Sequence, residues 1–272
     1  MWNWIKEMSL AARIGLFIVL LNLGVALLAP VVAPHGETAV VGDVWEPFSQ
    51  SFLLGTDHLG RDLFSRMVYG ARNTIALAFI ITSLSFLAGS FLGFTAAVKG
   101  GWTDQLLSRM IDVIMALPTL IFALMILSVL GSSVPVLIFT IALLDSTRVF
   151  RLSRAVAMDI EVKEFVEAAR LRGEGSLWIM RHEILPNALS PLVAEFGLRF
   201  CFVFLFIASL SFLGLGIQPP HADWGGMVRE NAGAITFGIF IPLIPAFAIA
   251  FLTVGVNLVV DHFLHLSSGL RD

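Results

Sequence analysis

A chain of 272 residues that is 57% hydrophobic and 14% charged, with mean hydropathy +0.89, is too apolar for a soluble domain, in which about a quarter of the residues are charged. The formal net charge of −3 offers no footing for nucleic acid, and the one cysteine, Cys201, cannot form an internal disulfide. The composition leaves a polytopic membrane protein, and 23 Phe against one Tyr suits a lipid-facing surface with no polar atom to satisfy.

A span needs about 20 mostly apolar residues. Ile14 to Pro34 is one charge-free run; its length and the absence of a small-x-small cleavage site favour an uncleaved first span over a signal peptide. The segment Leu59 to Tyr69 reads as an amphipathic helix capped by Thr56 or Asp57, leading into a second span over Asn73 to Val98. In that span, Gly89 and Gly93 give a small-xxx-small spacing suited to close helix packing. Val113 to Leu144 is charge-free but broken at Gly131-Ser132-Ser133-Val134-Pro135, which predicts two spans joined by a tight turn. Leu189 to Leu213 is a fifth span despite Glu195 and Arg199, and Asn231 to Val260 a sixth. The fold expected is an all-α transmembrane bundle of six helices.

Lys and Arg set the orientation. With a cytoplasmic N-terminus, that side holds Lys6, Arg13, Lys99, Arg109, Arg148, Arg151, Arg154, Lys163, Arg170, Arg172, Arg181 and Arg271. The outer side then holds only Arg61, Arg66, Arg72 and Arg229, with Arg199 inside a helix. Both termini are thus expected in the cytoplasm, together with the charged block Glu161 to Asn187.

In that block Val162, Phe165, Val166 and Ala169 follow the i, i+3, i+4, i+7 template of an amphipathic helix, and Lys163 and Glu167 are spaced to pair. Gly173 and Gly175 stop the helix, Ser176 is placed to cap a second short helix, and Pro186 to end that piece and launch the fifth span. Two short helices meeting at a glycine bend, with Ala168 and Ala169 offering a low surface, suit either a knob that docks into a partner's groove or a helix lying on the membrane.

Three smaller constellations complete the reading. Glu195 and Arg199, four apart, are expected to face each other toward protein, as a structural pair near the cytoplasmic entry or a substrate contact. Asp145 and Arg148 are spaced as a similar pair. Gly214 to Gly226, with Gly216, Pro219 and Pro220 and with Trp224 at the outer interface, is either a plain loop or an outer gate. Asp261, His262 and His265 at one helix end are too few for a metal site, and no HExxH, Ser–His–Asp pattern, CxxC or GxxxxGK[ST] loop is visible.

Glu167-Ala168-Ala169, then Gly173, then Ile184-Leu185-Pro186 resembles the EAA loop of ABC-importer permeases, and Glu164-Phe165-Val166 and Asn187-Ala188-Leu189 agree. Leu54-Gly55-Thr56-Asp57-His58-Leu59-Gly60-Arg61-Asp62 and Ser211-Phe212-Leu213-Gly214-Leu215-Gly216-Ile217-Gln218-Pro219-Pro220 are similar to the C-type permease subunits of the dipeptide, oligopeptide and nickel importers. The chain departs from that pattern at Ala208-Ser209, where an acidic residue is common, and at Asp261-His262-Phe263-Leu264-His265. The resemblance implies a type I ABC-importer permease fold in a bacterial inner membrane. It implies a division into a first span with its outer loop (1–72), a permease domain (73–262) with a coupling helix within 159–183, and a cytoplasmic tail (263–272). It also implies ATPase-coupling roles for Glu167, Ala168, Ala169, Gly173, Ile184, Leu185 and Pro186. The partners implied are a second homologous permease subunit, two ATPase subunits that carry ATP and Mg, and a solute-binding protein; no cofactor is implied in this chain. A self-sufficient secondary carrier or a membrane enzyme is the rival reading; the first would show an internal repeat with interrupted helices and the second a nucleophile–base or metal set, and neither is visible.

Overall fold

The computed structural model describes residues 8–268; Lys6, Arg271 and the His265 side chain, used or weighed above, lie outside what it describes. Among the described residues there is no strand, only isolated antiparallel bridges between Val40 and Arg61 and between Thr56 and Asp62. The helices are α1 (Leu10–Leu27), α2 (Ala29–Val32), α3 (Leu63–Lys99), α4 (Gly101–Met115), α5 (Thr119–Leu130), α6 (Val134–Glu161), α7 (Glu164–Leu171) and α8 (Ser176–Ile179). A π-helical turn, Met180–Ile184, joins α8 to α9 (Leu185–Phe212); α10 (Trp224–Glu230), a 3₁₀ turn (Ala232–Phe237) and α11 (Leu243–Ser268) follow.

Four helical stretches are long and apolar enough to cross a membrane: α1, α3, the continuous Ser176–Phe212 rod and α11. A bent pair, α4 with α5, makes a fifth if it counts as one span. Only 22% of the apolar stretch of α1 and of α11 is buried within the chain, so most of that surface meets lipid or another subunit. The second expected span proves to be the C-terminal part of a longer helix. Asp62, not Thr56 or Asp57, caps it, accepting the Ser65 N–H at 3.0 Å. The last expected span starts at Leu243 rather than Asn231, because Asn231 and the 3₁₀ turn belong to the loop layer.

The run from Val113 is not one straight helix. It breaks by 84° between α4 and α5, where Pro118 precedes the first residue of α5. At 12 residues α5 is about 18 Å long, short of a hydrocarbon core of about 30 Å. The charged face of α4 explains the bend: Asp104 receives both Arg154 Nε and Nη2, at 2.5 and 2.6 Å, and Asp112 receives Arg151 at 2.6 Å. These pairs hold α4 against the far end of α6 instead of letting it continue α5.

The centre of the bundle is the crossing of α3 on α6. Leu63, Ala71, Ile75, Ala78 and Ile81 of α3 pack with Leu137, Ile141 and Leu144 of α6 and with Val203, Phe204, Ile207 and Leu210 of α9. Gly89 and Gly93 let the two backbones approach. A Cβ on Gly93 would stand 2.8 Å from the Phe150 carbonyl oxygen, and one on Gly89 2.7 Å from that of Ser146. Helix association inside a membrane relies on such dispersion contact, since lipid tails are as apolar as leucine. The α1–α11 contact repeats the device, with Gly15 against the Gly255 carbonyl. Gly93→Ala should therefore cost about 1–3 kcal/mol by overpacking. Gly24→Ala, where a Cβ meets nothing within 4 Å, should leave the thermal unfolding midpoint of the detergent-solubilised chain unchanged or raised. Equal effects at the two sites would contradict the close-approach account.

Candidate functional site

Two polar assemblies sit at opposite ends of the bundle and a third lies inside it. The first is at the end where α3 begins and α9 finishes. Asp57, fully buried, accepts the Leu59 and Arg61 N–H groups on Oδ1 at 2.8 and 3.0 Å, and Arg61 Nε and Arg66 Nη1 on Oδ2. Glu230 Oε2 closes the set, 3.1 Å from Arg61 Nη2 and 3.0 Å from Arg66 Nη1. The His58 N–H donates to Asn231 Oδ1 at 3.0 Å, so the loop before α3 is stitched to the end of α10. Asp57, His58 and Glu230 place ligand atoms within 4.8 Å of one another. The carboxylate oxygens, however, already face two guanidinium groups, whose charge opposes a cation there.

This network is absent from the pattern expected for residues 59–69. That pattern is one amphipathic helix, whereas 54–62 fold as a loop whose turns need Gly55 and Gly60 at φ 78° and 74°. The available signal was Asp57 with Arg61 four residues on and Arg66 shortly after, one acid close to two bases.

The Gly- and Pro-rich stretch after α9 packs onto the same layer. Gly214 has φ 89°, and a Cβ there would lie 2.4 Å from Arg229 Nη1. Gln218 donates to the Gly214 and Gly216 carbonyls at 3.1 and 2.9 Å, and the Pro219–Pro220 bond is cis. A 260 Å³ cavity opens among Ser211, Gly214, Gln218, Arg229 and Glu230. Trp224 does not stand at an outer interface, as its residue type suggests. It is 2% exposed, its indole N–H donates to the Met67 carbonyl at 2.9 Å, and its ring fills the space over Gly70. It ties α10 to α3. Asp223 caps α10 through the Gly226 N–H and accepts the Thr74 hydroxyl.

Burial pushes the Asp223 carboxyl above its ordinary 3.8, opposed by Ser211, the Gly226 N–H and Thr74. Burial likewise raises Glu230 above 4.5, opposed by Arg61 and His58.

At the opposite end lies α7. It starts at Glu164 after a break at Val162 and Lys163, so Val162 is not part of its apolar face and stands 78% exposed. Val166 and Ala169 point inward; Phe165, Glu167 and Ala168 remain outside. Lys163 takes no ion pair with Glu167. Its carbonyl instead accepts the Val166 and Glu167 N–H groups, and Arg170 pairs with Glu161. The helix ends as the glycine predicts: Gly173, at φ 85°, donates to the Arg170 carbonyl and Glu174 to that of Ala169, the paired bonds of a Schellman turn. Gly175, not Ser176, takes the N-cap position of α8, and Ser176 makes no cap bond. Pro186 does not end the helix. The π-helical turn before it widens the ladder, and Pro186 falls in the first turn of α9, where its missing N–H costs little.

Beneath this unit Phe94, Ala97 and Val98 of α3, Ala157 and Ile160 of α6, and Ile179, Met180, Ile184, Ala188 and Leu192 form one apolar cluster with Val166 and Ala169. The Ile184 side chain is fully buried there, Leu185 half-exposed.

The third assembly is inside the bundle. Glu195 Oε1 lies 2.8 Å from Arg199 Nε, which joins the two residues the sequence paired. Asp145, 5% exposed, faces Arg199 at 3.7 Å rather than Arg148. Arg148 sits over the Phe202 ring, 4.4 Å from its centroid, and Arg199 lies 5.3 Å from the same ring.

The fold is thus a bundle of apolar helices able to span a membrane, with an exposed helical wedge at one end and an ion-pair cluster joining α6 to α9. The family described as binding-protein-dependent transport system inner membrane component matches residues 85–268, and the chain belongs to it. It is 33% identical over 278 residues to the dipeptide transport system permease protein DppC of Haemophilus influenzae, covering 100% of this chain and 92% of that protein. To the di/tripeptide transport system permease protein DppC of Pseudomonas aeruginosa it is 35% identical, covering 95% and 85%. To the glutathione transport system permease protein GsiD of Pectobacterium atrosepticum it is 31% identical, covering 100% and 88%. Among solved structures, an amino acid ABC transporter crystallised with histidines superposes with TM-score 0.55 at 22% identity, over 73% of this chain and 92% of that one. The inward-facing MetNI methionine ABC transporter gives 0.54 at 17%, over 74% and 97%. At those identities the two structures establish the fold alone.

Two measurements test the loop-end network. Asp57→Asn leaves Arg61 and Arg66 with Glu230 as their remaining partner, and breaking a buried pair in this way costs about 3–5 kcal/mol, read as a clearly lowered unfolding midpoint. The raised Asp223 and Glu230 carboxyls bind protons more tightly folded than unfolded. Their contribution to stability is therefore complete below 3.8 and 4.5 and is lost as pH rises through the raised folded values. Asp223→Asn, which keeps the cap, should flatten that decline in a pH series of unfolding midpoints; an unchanged slope would remove Asp223 from the account.

Proposed function

We propose that this chain is one of two permease subunits of a bacterial ATP-driven importer of short peptides or related small solutes. In this reading α6 also crosses the membrane, with Asp145 buried against protein, and α4 with α5 forms one bent span. Six spans then place both termini and α7 in the cytoplasm. The loop layer of 33–62 and 213–242 faces outward, where a solute-binding protein delivers its cargo, and two ATPase subunits carrying ATP and Mg dock from the cytoplasm. The peptide class follows the three relatives named above, which are permeases for dipeptide, di/tripeptide and glutathione transport.

The observation that carries the coupling role is the double surface of the α7 unit. Its inner side is locked into the apolar cluster under α3, α6 and α9. Its outer side leaves Val162, Phe165, Leu171 and Leu177 at 78, 42, 84 and 67% exposure around Glu167 and Ala168. Apolar side chains rimmed by charge mark a protein interface, and a rigid mounting lets a docked ATPase move the inner helix ends as one body. A nucleotide shifts the inward-open and outward-open packings only by binding the two states differently, so the lever must be stiff.

The test uses the assembled transporter. Glu167→Lys reverses charge on the open surface, and Gly173→Val strains a left-handed turn in which a Cβ meets nothing within 4 Å. Both variants should insert and fold, while ATPase co-purification and solute uptake fall about ten-fold or more, the effect of about 1.4 kcal/mol at a docking contact. Normal uptake by both variants would remove the lever role from α7.

A further inference from the structure

The charged group inside the bundle is not accounted for by packing. Arg148 and Arg199 lie about 20 Å from the loop end of their helices at a rise of about 1.5 Å per residue, within a hydrocarbon core of about 30 Å. Charge at that depth faces protein or water, not lipid. Within the cluster the two acids are drawn to the same cation: Glu195 at 2.8 Å and Asp145 at 3.7 Å both approach Arg199. Arg148 makes no ion pair within 4 Å among the described residues, although Asp145 lies within its field; the residue is part-exposed and its guanidinium lies against the face of Phe202. Phe202 itself is 36% exposed, and with Glu195, Arg199, Phe206 and Ser209 it lies along one stripe of α9 at i, i+4, i+7, i+11 and i+14. The face is thus open, polar and at membrane depth, and it presents two guanidinium groups on one ring.

We propose that Arg148, Arg199 and Phe202 form a carboxylate-binding subsite that the solute occupies on its way through the membrane, an inference that rests on the importer reading above. Arg148 supplies the planar fork that a carboxylate accepts bidentately. Arg199 adds positive potential, and its two acidic partners keep that potential from becoming a trap. The Phe202 ring is the shared neighbour of both guanidinium groups, 4.4 and 5.3 Å from its centroid. A site that binds weakly and reversibly is what passage requires, because a solute held too well at mid-path is not released. The solute class is any small molecule with a free carboxylate, of which a short peptide's C-terminus is one.

The experiment uses the complete transporter, in two arms. In the first, phenylglyoxal labels accessible arginines of the nucleotide-free complex, and mass spectrometry reads the adduct at Arg148. Labelling is expected, and glycylglycine at millimolar concentration should slow it at least three-fold, the change of about 0.7 kcal/mol that a weak site gives; glycylglycinamide should not. No labelling in any nucleotide state, or equal protection by the amide, overturns the subsite. In the second arm Arg148→Gln and Arg148→Lys are compared with wild type in proteoliposomes. Arg148→Gln should lower dipeptide uptake about ten-fold, the effect of one lost charged hydrogen bond, and Arg148→Lys should recover part of it; equal loss in both variants overturns the subsite. Loss of the second permease subunit on purification of Arg148→Gln would assign the missing anion to that subunit and overturn the proposal. Wild-type complex that takes up no dipeptide refutes the peptide reading alone, since the labelling arm judges the carboxylate subsite without transport.

Discussion

Charge removed from water organises this molecule. In a bundle whose outer surface meets hydrocarbon, an ionised group is tolerated only beside a partner or an aqueous space. Each polar assembly follows from that demand. Arg66, 1% exposed, is tolerable because Asp57 and Glu230 converge on its Nη1. Asp104 takes Arg154, and the resulting α4–α6 attachment bends what would otherwise be a plain span. Arg199 gathers Asp145 from α6 and Glu195 from its own helix, which links α6 to α9 at the depth where apolar packing alone sets no register.

The glycines provide the complementary constraint. Where α3 crosses α6, the absence of a Cβ at Gly89 and Gly93 brings backbones into contact, and the ends of those helices beyond the crossing become the floor on which α7 rests. Gly225 sits the same way against Ala208, where a Cβ would meet the Ala208 carbonyl at 2.3 Å. That approach accounts physically for glycine at 225, which seats α10 against the backbone of α9. The two ends of the molecule thus share one rigid spine, with a loop layer locked to its top and a wedge to its foot.

Much of this is legible in the sequence, and the reasons are local. The Schellman turn at Gly173, the turn before Val134, the close approach at Gly89 and Gly93 and the Glu195–Arg199 pair all depend on residues a few positions apart, so spacing reveals them. The misses come from tertiary partners. Asp145 turns from Arg148 to Arg199 because a residue on another helix outcompetes a neighbour. Trp224 reads as an interfacial anchor until Gly70 and Met67, more than 150 positions away, supply a slot and an acceptor. Residues 59–62 read as the start of the helix over 59–69, and the buried Asp57, which accepts the Arg61 N–H and Nε, explains why they turn instead. The bend of α4 from α5 is invisible to hydropathy, since the charges responsible lie outside the apolar run.

The π-helical turn at Met180–Ile184 has a consequence for the geometry of transmission. One residue more per turn than an α-helix rotates everything downstream by roughly 100° about the helix axis. The angular phase between the wedge below and the stripe of Glu195, Arg199 and Phe202 above is therefore set within five residues. If that short turn tightened to α-helical geometry, the charged stripe would swing by about a quarter turn while α7 stayed seated.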